Sequence, residues 1–250
     1  MPNLNKANRQ VCDVDIRDLA TMKPYLFFDT ANTTTQNVSS ESVYAMAKGS
    51  KRIGFQNPLE GTCTIEAQIV PFKFYAMMAG GEIESEAVYA EKKTITAEMS
   101  GSLNLVGAFP GAEIIHGTVF VYEEGHFGED EFAVVGTFDS GNFTGSSGAI
   151  VSGQSYEVGV IIRRTSGVAK ISVSNKNAPK AYYVTFNTVE KNEYDVLTPF
   201  KIVIYKAQVN TNFELSQSSE GDPASITMTF EILEDSNRNF MDMIEITDED

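Results

Sequence analysis

From Ile226 to Ile232 apolar and polar residues alternate without a break. Ile226, Met228, Phe230 and Ile232 fall on one side of an extended chain, and Thr227, Thr229 and Glu231 fall on the other. Successive side chains of a strand point to opposite faces, so the run predicts a strand with one buried face. Thr62 to Val70 repeats the pattern, with Cys63, Ile65, Ala67 and Ile69 opposite Thr62, Thr64, Glu66 and Gln68. Further strands are predicted over 24–28, 52–55, 94–105, 114–123, 132–139, 154–165, 168–174, 181–189, 199–209 and 241–246. From Lys92 onward they are separated by Gly, Ser, Asn and Asp, and this density of short strands predicts a mainly β fold.

One segment departs from that period. Pro71 to Gly81 predicts a short α-helix: proline opens the first turn, glycine closes the last, and no β-branched residue falls between them. Phe74, Met77 and Met78 share a face at i, i+3 and i+4, which assigns the methionines to core packing. Ser42 to Gly49 predicts one or two further helical turns stopped by glycine. Asp29 to Ser42 has almost nothing to bury and predicts a long loop, within about 29–50. Residues 1 to about 20, with weak periodicity at Val11, Val14, Ile16 and Leu19, read as an arm or a short helix. The Gly/Ser/Asn stretch around 140–153 is the one candidate internal boundary, but strands resume at once on both sides, so it reads as a pair of turns.

Charge changes the picture by exclusion. A formal net charge of −15 over 250 residues lacks the Lys/Arg footprint that nucleic-acid binding and docking on anionic lipid both require. The same acidity suits a surface that DNA must slide past, although solubility explains the charge equally well by itself. Cys12 and Cys63 are far apart and in no metal-ligand spacing, so reduced thiols in a cytoplasm are expected. The amino terminus has no apolar signal region, and no run approaches the roughly 18 apolar residues of a membrane helix.

Catalytic chemistry finds little support. His116 and His126 frame Glu123, Glu124, Glu129, Asp130 and Glu131, a set that could hold a divalent metal but reads better as a charged hairpin tip. Asp235-Ser236-Asn237-Arg238-Asn239 begins like a calcium loop. Phe240 and Ile246 then stand where glycine and a bidentate glutamate belong, so a polar turn is the better reading. No G-x-S-x-G elbow, Walker A sequence or G-x-G-x-x-G is present. No enzyme activity, metal or cofactor is expected.

Two stretches carry a resemblance. Lys51-Arg52-Ile53-Gly54-Phe55, followed by Gly61-Thr62-Cys63-Thr64-Ile65 and a helix ending Tyr75-Ala76-Met77-Met78-Ala79-Gly80-Gly81, is similar to the amino-terminal part of phage tail tube proteins. Lys206 to Ser216, which includes Phe213-Glu214-Leu215-Ser216, then Gly221-Asp222-Pro223-Ala224 and the strand to Leu233, resembles the carboxy-terminal signature of that family. Their order, spacing and β-rich interval identify the chain as resembling the bacteriophage major tail tube family and the related tubes of contractile injection systems.

The resemblance implies a β-sandwich- or barrel-like tail tube fold with one short flanking α-helix and long loops. It implies a single domain, 1–250, with an inserted elaboration within about 107–190. It also implies a structural virion protein whose homohexameric rings stack into a tube that conducts DNA into the host. The subunits would be assembled in the host cytoplasm, without membrane insertion. Implied partners are further copies of the chain, tape measure, tail terminator and baseplate or initiator proteins, and, in a contractile tail, a sheath; phage DNA is met only in transit. The polar faces of the two best strands supply the lumen-lining candidates Thr62, Glu66, Gln68, Thr227, Thr229 and Glu231. A virion decoration protein or a carbohydrate-binding β-sandwich is the alternative; the absence of tryptophan, beside 16 Phe and 10 Tyr, counts modestly against it.

Overall fold

The computed structural model describes residues 5–247 apart from 213, 216, 218, 220 and 222. The amino-terminal third contributes β1 (Lys6–Ala7), β2 (Asp13–Asp18), β3 (Pro24–Phe28), β4 (Thr33–Ser39), β5 (Ser42–Ala47), β6 (Ser50–Gln56), β7 (Glu60–Ala67) and helix α1 (Phe72–Met78). The middle contributes β8 (Ile83–Glu84), β9 (Ala87–Thr96), β10 (Ser102–Asn104), the one-turn α2 (Leu105–Ala108), β11 (Glu113–Ile114), β12 (Phe120–Glu123), β13 (Gly136–Asp139), β14 (Asn142–Gly145), β15 (Ser155–Arg164) and β16 (Lys170–Ile171). Last come β17 (Ala181–Asn192), β18 (Leu197–Val209), β19 (Ile226–Ile232) and β20 (Met241–Glu245). The fold is mainly β and divides into two compact units: Met1–Glu82 with Ile171–Asp250, and Ile83–Lys170.

The larger unit is built on a nine-stranded sheet whose path runs β3-β2-β17-β18-β19-β7-β4, with β1 added on β17 and β20 on β18. Every pairing along the path is antiparallel. Alternation decides the faces: Val14, Ile16, Tyr182, Val184, Phe186, Cys63, Ile65, Met228 and Phe230 all turn into one core, while the residues between them turn out. The path curls, so that Cys12 N near one end donates to Thr34 Oγ1 at the other, 3.4 Å away.

Helix α1 closes the concave side. Phe74, Met77 and Met78 are buried in the sheet core, and the Phe74 ring stacks on Phe28 with centroids 5.3 Å apart. The helix stops because Gly80 adopts φ +62°, a left-handed conformation that costs glycine little. Gly80 N then reaches Met77 O and Gly81 N reaches Ala76 O, satisfying carbonyls the helix end leaves open.

The smaller unit has its own core, including Leu103, Leu105, Phe109, Phe143, Val158, Val160 and Ile162. β15 is its spine. It pairs along its whole length with β9 on one edge and with β11 and β12 on the other, and β10-β14-β13 form a second sheet.

Several expectations are corrected here. Most of the expected loop at 29–50 is strand: β4 pairs with β7, and β5 and β6 form a hairpin. Ser42 to Gly49 is therefore extended and not helical; the apparent helix stop, Gly49, is the hairpin turn, at φ +78°. Within the amino-terminal arm, β2 is an integral strand with Val14 and Ile16 fully buried. The segment that segregates is Ile83–Lys170, whereas residues 181–190, inside the expected insertion, belong to the central strand β17.

Replacing Phe74 by Ala should lower unfolding free energy by roughly 3–5 kcal/mol in urea denaturation, because it empties the space between α1 and Phe28. Burial pushes the Cys63 thiol up to about 12. At pH 8 Cys63 should therefore stay unlabelled by a thiol reagent until denaturant unfolds the sheet; rapid native labelling mapped to Cys63 would contradict its placement.

Candidate functional site

The outward face of β4, β7 and β19 is a grid set by register. Thr33, Glu66 and Thr227 form one row; Thr35, Thr64 and Thr229 form the next; Asn37, Thr62 and Glu231 form the third, which Gln208 of β18 extends. The residues between them, among them Cys63, Ile65, Met228 and Phe230, lie in the core, so the alternation that buries one face obliges the other to be polar. Thr64 and Thr229 face each other with their hydroxyls 3.4 Å apart. Thr62, Thr227 and Glu231 are exposed, and Glu66 and Thr229 are half-buried. The grid carries two carboxylates and no cation, and no described Lys or Arg forms an ion pair with Glu66 or Glu231. Lys206 lies two residues along β18 from Gln208, beyond the last row.

The structure thus brings five of the candidates named from sequence, Thr62, Glu66, Thr227, Thr229 and Glu231, onto one continuous face. Gln68 is exposed just past the end of β7, where its Nε2 donates to Pro223 O at 3.0 Å. Sequence reasoning missed Thr33, Thr35 and Asn37. Their period-two spacing was present, but the opposite face of β4 carries Thr34 and Gln36, so no apolar stripe marked it as a strand.

Two features border this face. Among the described residues β4 pairs only with β7, so its other edge keeps free backbone groups, with no proline or lysine to blunt it. The β5–β6 hairpin follows at once and, among the described residues, pairs with no other strand. Val43, Met46, Ile53 and Phe55 are all more than half exposed on it. Lys48, Lys51 and Arg52 make it a basic island in an acidic chain, and Lys51 Nζ lies 4.0 Å above the Tyr44 ring.

The other candidates from sequence have local employment. The His126 ring stacks on Phe132 at 3.7 Å, and its Nδ1 lies 3.0 Å from Glu129 Oε2; His116 packs against Phe138 instead. Among the described residues no three His, Cys, Asp or Glu side chains are grouped to hold a metal ion. Asp235 folds into its own turn, its Oδ1 accepting from Asn237 N at 2.8 Å and Asn239 N at 2.7 Å. Burial would raise that carboxyl, but the bonds from Asn239 and Asn237 outweigh it and hold the group below the usual carboxylate value.

Exposed or half-buried carboxylates without partners contribute little to folding. Glu66→Gln and Glu231→Gln should each change unfolding free energy by less than about 0.5 kcal/mol in urea. A loss above roughly 2 kcal/mol would reveal an interaction that the grid does not contain.

The sequence model of one family, the YomU/Tube protein family, matches residues 9–246. No curated protein matches the chain.

Proposed function

The chain belongs to the YomU/Tube protein family, a phage-derived family of tube proteins, and on that premise we propose that it is the major tail tube subunit of a bacteriophage virion. Six copies form a ring, and rings stack into a hollow tube through which DNA passes into the host. The family match across 9–246 carries this reading. The unpaired β4 edge supports it, because a strand from a neighbouring copy would satisfy that edge and carry the hydroxyl-rich grid onward from subunit to subunit. A lumen lined by Thr62, Glu66, Thr227, Thr229 and Glu231 offers DNA hydrogen-bonding water and repulsive carboxylates but no cation to hold a phosphate. Gln68 sits at the margin of that surface.

The β5–β6 hairpin suits contact with another copy. A lone two-stranded hairpin is marginally stable in water, and a partner surface would bury its apolar side chains while its cations meet an acidic neighbour. The chain adds to itself in the host cytoplasm, starting from a baseplate or initiator complex. Tape measure protein fixes the tube's length, a terminator caps it, and a contractile tail adds a sheath.

Negative-stain electron microscopy at rising protein concentration should show hollow tubes of uniform width with sixfold rings. A chain that stays monomeric even with an initiator complex supplied would sink the reading. Glu66→Lys with Glu231→Lys should leave tubes intact yet lower DNA delivery by about tenfold or more, as cations in the channel retain phosphates. Unchanged delivery would remove these residues from the lumen.

A further inference from the structure

Two surfaces of the larger unit are apolar and exposed, and they lie at opposite ends of one ladder. The first is the β5–β6 hairpin. Val43 pairs with Phe55 and Ala45 with Ile53, so four apolar side chains share one of its faces, all of them exposed. The other face covers itself. Tyr44 lies across Gly54, where a Cβ would stand 3.2 Å from the ring's Cε1, and Lys51 Nζ sits above the same ring. The second surface is a groove of about 460 Å³ beside α1. Phe72 and Tyr75, at i and i+3, give it a helical wall, while Phe74, Met77 and Met78 of the same helix turn into the core. Val173, Leu215 and Ile226 extend the apolar lining, and Phe72, Val173 and Leu215 are exposed.

We infer that the groove receives the apolar hairpin face of a second copy, which makes growth a head-to-tail contact; this rests on the tube reading and names the surface that the hairpin meets. Register keeps the two apart within one chain. The hairpin leaves the β4–β7 ladder at Ser39 and Glu60, whereas the groove lies past the ladder's other end, at Gln68 and Ile226. The seven residues of β4 lie between, about 20 Å of extended chain. A contact between two different patches is heterologous. A row of copies then always ends in a free groove on one side and a free hairpin on the other, so growth does not close at a dimer. Charge agrees with this pairing. Lys48, Lys51 and Arg52 lie on the hairpin, and among the described residues none of them forms an ion pair. The segment 210–224, which contributes Leu215 to the groove, has Glu214, Glu220 and Asp222 in its sequence and no Lys or Arg. Opposite charge orients the encounter, and burial of Val43, Ile53 and Phe55 against the apolar wall supplies the attraction. One contact thereby covers two surfaces that unrelated partners would have to cover separately.

The test mixes a chain carrying Val43→Cys with one carrying Val173→Cys at rising concentration and adds a short bifunctional maleimide. Cys12 and Cys63 are buried, so they give little background. Cross-linked pairs should appear in the mixture, and a chain carrying both substitutions should give a ladder of covalent multimers. Phe55→Ser and Val173→Asp should each raise the concentration needed for assembly about tenfold or more. Their melting temperatures should match the parent's, because both side chains are exposed. Tubes that form without the cross-link, or Val173→Asp assembling at the parent's concentration, would overturn the contact and leave the tube reading standing. Val43→Cys chains cross-linking only to one another would place hairpin against hairpin and overturn it too. Cross-linked mixed multimers without sixfold tubes would overturn the tube reading and leave the contact. Neither tubes nor cross-links would overturn both.

Discussion

The two halves of the larger sheet, β3-β2-β17 and β18-β19-β7-β4, meet in one antiparallel ladder, that between β17 and β18. β17 carries β2 and β1 on its far edge, while β18 carries β19 and β20 on its own. Its register therefore decides more than its own side chains. A slip by one residue would turn Tyr182, Val184 and Phe186 outward and send Tyr183, Thr185 and Asn187 into the core. The ladder tolerates one irregularity, between Tyr182 and Val184, near where β18 passes from pairing with β20 to pairing with β19. With register fixed there, the faces of β19, β7 and β4 follow in turn, so the polar grid is a remote consequence of apolar alternation in β17.

What could be read in the chain depended on whether burial left a mark. β7 and β19 are half-buried strands with strict alternation, and α1 has proline before it and Gly80-Gly81 after it. All three were legible, as were the polar residues that alternation forces outward. β4 was not, because it packs Thr34 and Gln36 on its inner side and is polar on both faces. β5 misled in the opposite direction: with both hairpin faces exposed, Val43, Tyr44 and Met46 follow no sheet period, and the turn at Gly49 imitates a helix end. The division into units was hidden for a further reason. β17 pairs locally with β18, which follows it in a hairpin, but it is central only because β2 and β1, far off in sequence, cover its other edge, and no local signal encodes a long-range pairing.

Edges and faces are linked in this architecture. A sheet that curls without closing leaves two outer strands, and evolution ordinarily blunts such edges with charge, proline or a covering loop. β4 carries neither charge nor proline along Thr33–Ser39, and it borders the grid whose side chains carry hydroxyls and carboxylates. An unblunted edge is an aggregation hazard for a monomer, but in an assembly it is the place where the next strand pairs. Membership of a tube family and the bare β4 edge therefore bear on the same property of the molecule, its readiness to continue itself.

Charge then constrains how such continuation can proceed. Copies that each carry −15 repel one another, and at physiological ionic strength that repulsion is screened beyond roughly 8 Å. Contacts must accordingly be close, apolar or of opposite sign. The β5–β6 hairpin combines the last two properties, with Val43, Met46, Ile53 and Phe55 exposed beside Lys48, Lys51 and Arg52. Complementary charge mainly governs the rate and orientation of encounter, whereas buried apolar area and paired backbone hold the contact once made. In the proposed tube this divides the labour: basic residues on the hairpin steer an acidic copy into place, and the apolar side chains and the β4 edge keep it there. The carboxylates of the grid are left unneutralised, free to repel whatever polyanion passes along that face.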